Sequence, residues 1–464
     1  LGTSEGVRAT VKRVAIQNPA TLEVVEEVGF YEDEDLDAPL RAAEEAQRAW
    51  RDRAPRDRAR ALEDLAQAVR EHTEELARLE MAQAGHPITM ARGEAQGVAD
   101  AIAYFAGIPE RAFGRQIPVA GGIDVTFREP LGVVGIIVPW NFPMLIATWG
   151  FAPAIAAGNA VVLKPAEATP LTALELARLA REVGIPEGVL TVIPGEGPIA
   201  GWRLVTDPRV RKVCFTGSTR VGKAIMAGCA EQLKRVTLEL GGKSANVIFA
   251  DADVAAAAAA APAAVFDNAG QDCCARSRLL VAEEIYEEFM AAFRAAVAKL
   301  RVGDPADPAT EIGPLISAAQ RERVLAYVRE ARVLFQGSAP DGPGYYVAPT
   351  VLDGSDSTAP SWCEEIFGPV VSVRRFRTEE EAIAIVNDSP YGLSGSIWTR
   401  DVARALRVAR RIESGTLSVN SHSSVRHHTP FGGFKQSGIG RELGPEALEE
   451  FTELKNVFVR VEGL

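Results

Sequence analysis

Five short runs rich in β-branched and aliphatic residues dominate the middle of the chain: VVGIIVP (133–139), AVVLKP (160–165), LTVIPG (190–195), KVCFTG (212–217) and VTLELGG (236–242). Helical stretches such as TALELARLAREVG (172–184) and KAIMAGCAEQLKR (223–235) stand between several of them. Strands separated by helices return in the same direction by crossover, so this alternation selects a parallel sheet built from βαβ units. A second α/β region is expected after ANVIFADADV (245–254), with AIAIVNDSPYGLSGSIWTR (382–400) and GTLSVN (415–420) supplying further strands and turns. The alanine run Ala255–Ala261 reads as a closely packed helix.

Two other kinds of segment frame this pattern. From LDAPLRAAEEAQRAW (36–50) to about Ala106 the spacing is helical, broken at Pro55 and near Gly85-His86-Pro87. RQIPVAGGIDVTFREPLG (115–132) reads as a β-hairpin around Gly121-Gly122, and LKNVFVRV (454–461) as a closing strand. Edge strands without a core of their own are expected to pair elsewhere, and a partner subunit is a natural candidate. At 464 residues, two or more cores are expected.

Charge excludes several classes of partner. A net charge of −12 and a pI near 5.2, with no basic stripe, give no footprint for nucleic acid or an anionic membrane. LGTSEGVRAT has no signal-peptide pattern and the apolar runs are too short to span a bilayer, so a cytoplasmic location is expected. Five cysteines, odd in number and unevenly spaced, argue against a disulfide framework. His422, His427 and His428 are crowded but lack a completing set of ligands, so they read as a polar loop and no metal is expected.

KVCFTGSTRVGKAI runs from strand to helix through Gly217 and Gly222, with Ser218 and Thr219 between, and a helix start of this kind suits a pyrophosphate. The usual fingerprint places a glycine where Thr219 stands, so the match alone is weak. An acid for ribose hydroxyls is offered either by Glu239, counted from Gly217, or by Glu167, which follows Lys164 after another strand and would leave Glu239 free for chemistry.

Seven motifs in order, VPWNFP (138–143), LKPAEATP (163–170), FTGSTRVG (215–222), LELGGKS (238–244), NAGQDC (268–273), EEIFGPV (364–370) and PFGGFKQSGIGRELG (430–444), resemble those of the aldehyde dehydrogenase superfamily over most of the chain. The resemblance implies an α/β protein with a Rossmann-type cofactor domain, an α/β catalytic domain and a small β oligomerisation element. The expected division is 1–110 with 131–242, 243–445, and 111–130 with 446–464, in a homodimer or homotetramer. It further implies Cys273 as nucleophile, Asn141 as oxyanion-binding amide and Glu239 as general base, for NAD-dependent oxidation of an aldehyde to its acid. Lys164, Glu167, Gly217, Ser218, Gly222, Glu365, Phe367 and Trp140 are the implied cofactor contacts. The acid at Glu167 would repel a 2′-phosphate, favouring NAD over NADP.

Cys274 is then a neighbour of the nucleophile, and alternation along an extended segment would turn it away from the site. An aldehyde would add to the Cys273 thiolate, pass a hydride to NAD and leave a thioester for hydrolysis. Asp272, immediately before Cys273, opposes thiolate formation, so activation is expected from the cofactor's positive ring, local amides and Glu239. Many relatives carry a lysine nine residues after the Asn of PWNFP, where this chain has Gly150, although Glu442 of GRELG is kept.

Phe142, Trp149, Asp267, Asp272 and Arg426 are the expected tunnel residues. Two acids would attract a cationic tail, pointing to an ω-aminoaldehyde such as 4-aminobutyraldehyde, unless they only bond to local backbone. A broad aliphatic or aromatic aldehyde dehydrogenase, a cysteine-dependent esterase and a non-catalytic structural protein are the other readings.

Overall fold

Strands Val133–Ile137 and Ala160–Lys164 are buried along their whole length, which is why their sequences are continuous apolar runs and not alternating ones. The computed structural model describes residues 12–423 and 425–461; LGTSEGVRAT and the residues beyond Val461 lie outside it. The two strands are central in a six-stranded sheet ordered Gly438–Ile439, Arg235–Glu239, Val210–Thr216, Val133–Ile137, Ala160–Lys164, Leu190–Val192. All neighbours are parallel except Gly438–Ile439, which runs against Arg235–Glu239. The chain builds outward from Val133–Ile137 on one side and then returns on the other with Val210–Thr216. Such a reversal opens a crevice beyond the carboxyl ends of the strands. The loops that meet there are PWNFP and GSTRVG.

Both faces of this sheet are covered. Helices Asp37–Arg51, Pro55–Glu71, Thr73–Ala84 and Ile88–Ala106 form the N-terminal layer. Trp50, Phe105 and Phe151 lie in the core on one side, and Leu36, Leu40, Leu204 and Ile225 on the other. Pro55 occupies the first helical turn, where its missing N–H costs nothing. Gly85 ends the third helix at φ +78°, and a Cβ there would come within 2.8 Å of Pro19 and Pro314, so the turn into His86-Pro87 requires glycine.

A seven-stranded sheet follows, ordered Val333–Gln336, Thr350–Asp353, Val370–Phe376, Arg278–Ala282, Ala245–Ile248, Ser394–Trp398, Thr416–Val419. Only the Val333–Gln336 edge is antiparallel. One expectation is corrected here: AIAIVN belongs to helix Glu379–Asn387, with Ala382, Ile383, Ile385 and Val386 buried. Three acids in its first turn and the Thr378 side-chain cap on Glu381 N–H select the helix over the strand suggested by isoleucine and valine. The alanine run lies in helix Val254–Phe266, capped by Asp253.

The hairpin Gln116–Val119 and Gly122–Pro130 joins Thr452–Arg460 in a three-stranded antiparallel sheet, with Thr452 opposite Pro130 and Arg460 opposite Gly122. Ile117, Phe127, Leu454 and Phe458 are exposed on it. Among the described residues, no helix is long and apolar enough to cross a membrane.

Candidate active site

The first sheet presents carboxyl ends to the crevice and the second presents amino ends. Asn141 follows Val133–Ile137, Ser218 follows Val210–Thr216 and Glu239 ends its strand, whereas Cys273 precedes Arg278–Ala282 and Glu365 precedes Val370–Phe376. Residues far apart in sequence thereby line one crevice: Trp140, Asn141, Gly217, Ser218, Glu239, Cys273, Glu365 and Phe367. Cys273 also lines a second cavity with Phe142, Trp149, Asp267, Asp272 and Arg426. Cys273 is therefore common to both spaces.

At the strand-to-helix turn, Gly217 N–H donates to the Glu239 carbonyl at 3.0 Å and Ser218 Oγ caps Val221 N–H at 3.4 Å. Thr219 is accommodated because its hydroxyl turns to the Gln436 carbonyl at 3.3 Å. Gly222 lies outside the crevice wall; a Cβ there would stand 2.5 Å from Leu240 Cδ2, so this glycine serves the close approach of helix and sheet. Lys164 and Glu167 also stand outside that wall, paired at 3.0 Å, with Glu167 accepting Gly197 N–H at 2.6 Å. Burial opposes ionisation of Glu167, but Lys164 and the Gly197 amide hold its carboxyl below the usual value. Trp140 and Phe367 meet edge to face at 5.3 Å. Glu365 accepts Gly242 N–H at 2.9 Å, and burial raises its carboxyl.

The segment before Cys273 is locally strained. Asn268, Ala269 and Gly270 take successive φ values of +48°, +52° and +70°, costly for the first two residues. A Cβ at Gly270 would fall 2.0 Å from the Gly368 carbonyl oxygen, so the segment is pressed against the loop after Phe367. The Asn268 amide donates to the Asn141 carbonyl at 2.8 Å, and the Asn141 amide donates to the Gln271 carbonyl at 3.0 Å.

Cys273 and Cys274 do not alternate along an extended strand. Asp272 builds a turn, its carbonyl accepting Ala275 N–H at 3.0 Å and its Oδ1 accepting Cys274 N–H at 2.8 Å. Both cysteines consequently line the second cavity, while Cys273 alone reaches the crevice. The Cys273 thiol is pushed well above its ordinary value by its hydrogen bond with Cys274, then by burial and by the charges of Asp272 and Glu365.

Glu239 is 3% exposed and neither carboxylate oxygen has a hydrogen-bond partner among the described residues. Burial, followed by repulsion from Glu442, raises its carboxyl well above the usual range. Glu442 is itself pushed up to about 7 by burial, against the attraction of Lys212. Lys212 Nζ donates to Thr237 Oγ1 at 2.6 Å and Glu450 Oε2 at 3.0 Å. At Gly150 a Cβ would come within 2.8 Å of Ile136 Cδ1, so the sheet fills the space beside that helix.

In the second cavity, Trp149 and Phe431 meet edge to face at 5.6 Å. Asp267 and Asp272 both face this cavity and both bond to local backbone, Asp267 accepting Asn268 N–H at 3.1 Å. Crowding raises Asp267 to about 6, desolvation contributing most and Asp272 and Glu94 adding to it. The sequence reading missed Arg276, a buried guanidinium in the same wall that donates to the Cys274 and His422 carbonyls at 2.8 Å. Its place in CCARSR, three residues after Cys273, was the available signal. Among the described residues, two groups bring donor atoms together as a cation site would, Asp272–Cys273–Cys274 and Glu80–His86–Glu94; neither contains His422, His427 or His428.

The sequence profile of the aldehyde dehydrogenase family matches residues 7–457. An aldehyde dehydrogenase of Aspergillus niger is 42% identical over 452 residues, covering 96% of this chain and 91% of its own. The betaine aldehyde dehydrogenase of Cereibacter sphaeroides is 42% identical over 431 residues, covering 91% and 89%. The crystal structure of PnpE from Pseudomonas sp. WBC-3, also solved in complex with nicotinamide adenine dinucleotide, superposes with a TM-score of 0.95 at 42% identity over 98% of this chain and 95% of that one. These matches span nearly the whole chain, and this protein belongs to the aldehyde dehydrogenase family.

Proposed function

We propose that the protein oxidises an aldehyde to its carboxylic acid with NAD, using Cys273 as nucleophile, Asn141 as oxyanion donor and Glu239 as general base. The observation that carries this reading is the position of Cys273 in the wall of both cavities, with Asn141 and Glu239 beside it in the crevice. The residues present fit a dinucleotide. The crevice opens onto the start of helix Thr219–Ala230, Gly241 makes room for Glu365, and Trp140 with Phe367 offers an apolar wall. Glu167 with Lys164 is suited to ribose hydroxyls, and its charge disfavours a 2′-phosphate. NAD, when bound, supplies the hydride acceptor.

The Cys273 thiol gives its proton to Glu239, which passes it to solvent, and the thiolate Sγ adds to the aldehyde carbon, the new C–S bond converting the carbonyl oxygen to an oxyanion. The Asn141 amide and the Cys273 backbone N–H stabilise that oxygen. As the C–O double bond re-forms, the carbon loses its hydrogen as hydride and a thioester remains on Cys273. Glu239 then takes a proton from water, the hydroxyl adds to the thioester, and the C–S bond breaks to release the acid and thiolate. Once ionised, a raised carboxyl that has no competing partner among the described residues is the stronger base for that proton.

For the substrate we favour an ω-aminoaldehyde such as 4-aminobutyraldehyde, because Asp267 and Asp272 face the cavity that leads to Cys273. The betaine aldehyde dehydrogenases among the relatives support a cationic substrate. A broad aliphatic or aromatic aldehyde is favoured instead by Phe142, Trp149 and Phe431 in the same wall and by the guanidiniums of Arg276 and Arg426. The kcat/KM values for 4-aminobutyraldehyde, propanal, benzaldehyde and succinate semialdehyde, followed by NADH formation, decide between them. A preference for succinate semialdehyde overturns the cationic reading, and ester cleavage without NADH formation from any aldehyde overturns the redox one.

We assign residues 1–110 with 131–242 to cofactor binding, 243–445 to catalysis, and 111–130 with 446–464 to assembly of a homodimer or homotetramer. The exposed Ile117, Phe127, Leu454 and Phe458 on the three-stranded sheet support the last assignment. Five unpaired cysteines suit a reducing, cytoplasmic setting.

A further inference from the structure

Glu80, His86 and Glu94 form a buried cluster behind the PWNFP turn, with ligand-type atoms within 4.8 Å of one another. They come from helix Thr73–Ala84, the GHP turn and helix Ile88–Ala106. His86 Nδ1 lies 3.0 Å from Glu94 Oε2, and its ring meets the Phe142 ring edge to face at 5.7 Å. Glu80 Oε1 accepts the backbone N–H of Met144 at 3.3 Å, in the first turn of helix Pro143–Ala156. Its Oε2 is held by Gln83 at 2.8 Å and Thr172 at 2.9 Å. The cluster thus touches Phe142 and Met144, on the stretch that carries Asn141. None of the three side chains lines the crevice, so they have no direct part in the chemistry proposed above.

We propose that His86 is a positioning residue for Asn141: held by Glu94 and Glu80, it braces the Asn141–Phe142 turn from within the core and so fixes the amide that faces the oxyanion. The proposal rests on the oxyanion role of Asn141. Burial of an imidazole ordinarily favours its neutral form, but Glu94, Glu80 and the Asn141 backbone together raise His86 to about 9. The ring is therefore a cation at neutral pH. The charged groups that face it are Glu80, Glu94 and, at the end of helix Val254–Phe266, Asp267. Glu94 Oε1 is buried without a partner among the described residues, so the pair depends on the imidazolium charge and not on a saturated hydrogen-bond network. Above about pH 9 the ring loses its proton and with it the attraction of both acids.

His86→Phe keeps the ring volume and the contact with Phe142 but removes the charge. It is expected to lower kcat by roughly 10²-fold, the order found when a reacting geometry is displaced by about an ångström, with little change in KM. His86→Lys restores a cation and is expected to recover kcat and to hold it to higher pH than the wild type. In the His86→Phe/Asn141→Ala double variant the losses should not add, because one residue acts through the other. Circular dichroism and NAD binding by fluorescence quenching establish that each variant is folded, and His86→Gln serves if His86→Phe is not. Wild-type kcat in Asn141→Ala overturns the oxyanion role itself. Loss in Asn141→Ala with full kcat in a folded His86→Phe or His86→Gln protein overturns the positioning role alone. Additive losses, or a stoichiometric metal ion present in the wild type and absent from the His86 variants, also overturn it.

Discussion

The side-chain amide of Asn141 donates to the backbone carbonyl of Gln271 at 3.0 Å, two residues before Cys273. One N–H of the amide is thereby committed to the segment that carries Cys273; in the proposed mechanism the other serves the substrate oxygen, so this contact would set donor and nucleophile together. Removing one oxyanion donor of this kind typically costs about 10²–10³ in kcat. Asn141→Ala is expected to lose activity on that scale with KM nearly unchanged, and Asn141→Asp to lose more because it opposes the developing negative charge. Steady-state NADH formation measures both; a loss confined to KM would remove the oxyanion role.

The Cys273 and Cys274 sulfurs lie within 4.8 Å of one another, and Cys274 favours the protonated Cys273 thiol. Cys274→Ala is therefore expected to lower the Cys273 pKa and to speed iodoacetamide alkylation at pH 7–8 in the absence of cofactor, while NADH formation persists. Cys273→Ala should abolish NADH formation. Activity surviving in Cys273→Ala and lost in Cys274→Ala would exchange the two assignments.

The parallel sheets were legible because Val133–Ile137 and Ala160–Lys164 are buried on both faces and write that burial as unbroken apolar runs. The hairpin and the closing strand were legible from alternation and the Gly121-Gly122 turn, although nothing in either sequence states that they pair with each other as they do. AIAIVN misled because its isoleucines and valine suit a strand, while the decision lies in the Thr378 cap and the acids that follow it. Cys274 misled because alternation presumes extended backbone, and the Asp272 side chain converts the segment to a turn. Arg276 and the Glu80–His86–Glu94 cluster were hidden for another reason. Their meaning comes from burial beside residues up to 146 positions away, as in the bond from Arg276 to the His422 carbonyl, and one sequence does not record such neighbours.

Glu239 and Glu442 repel one another in a space where neither Glu239 oxygen has a partner among the described residues. Protonated Glu239 cannot accept a proton from water, so thioester hydrolysis should rise with pH through its raised pKa. Glu442→Gln removes the repulsion and should shift that limb to lower pH. Glu239→Gln should keep a rapid burst approaching one NADH per site and slow the following steady state by about 10²–10⁴. Stopped-flow absorbance separates the two phases; loss of the burst in Glu239→Gln would move its role to the acylation step.

The same buried acids make folding stability depend on pH. Glu80 and Glu442 are each raised to about 7 in the folded protein, against about 4.3 in an unfolded chain. Their contribution is fully present below the unfolded value and is lost as pH rises through about 7. Tm should accordingly fall from about pH 4.5 to about 7.5 and level off above, and Glu442→Gln should flatten part of that slope, read by differential scanning fluorimetry across a buffer series. An unchanged slope in Glu442→Gln would show that the carboxyl ionises as readily in the folded chain as in the unfolded one.

Asp267 lies in the wall of the second cavity and is raised to about 6, so it carries its charge above that pH and loses it below. If it attracts a cationic tail, kcat/KM for 4-aminobutyraldehyde relative to propanal should increase as pH rises through about 6, since the amine stays protonated throughout this range. Asp267→Asn should remove that pH dependence and lower the ratio by roughly five- to tenfold at low ionic strength, with the difference shrinking in high salt as the charges are screened. Propanal itself, having no charge, should be turned over equally by both proteins. A ratio unmoved by Asp267→Asn would leave the carboxylate with its backbone bond to Asn268 alone, and would shift the specificity of the cavity to Phe142, Trp149 and Phe431.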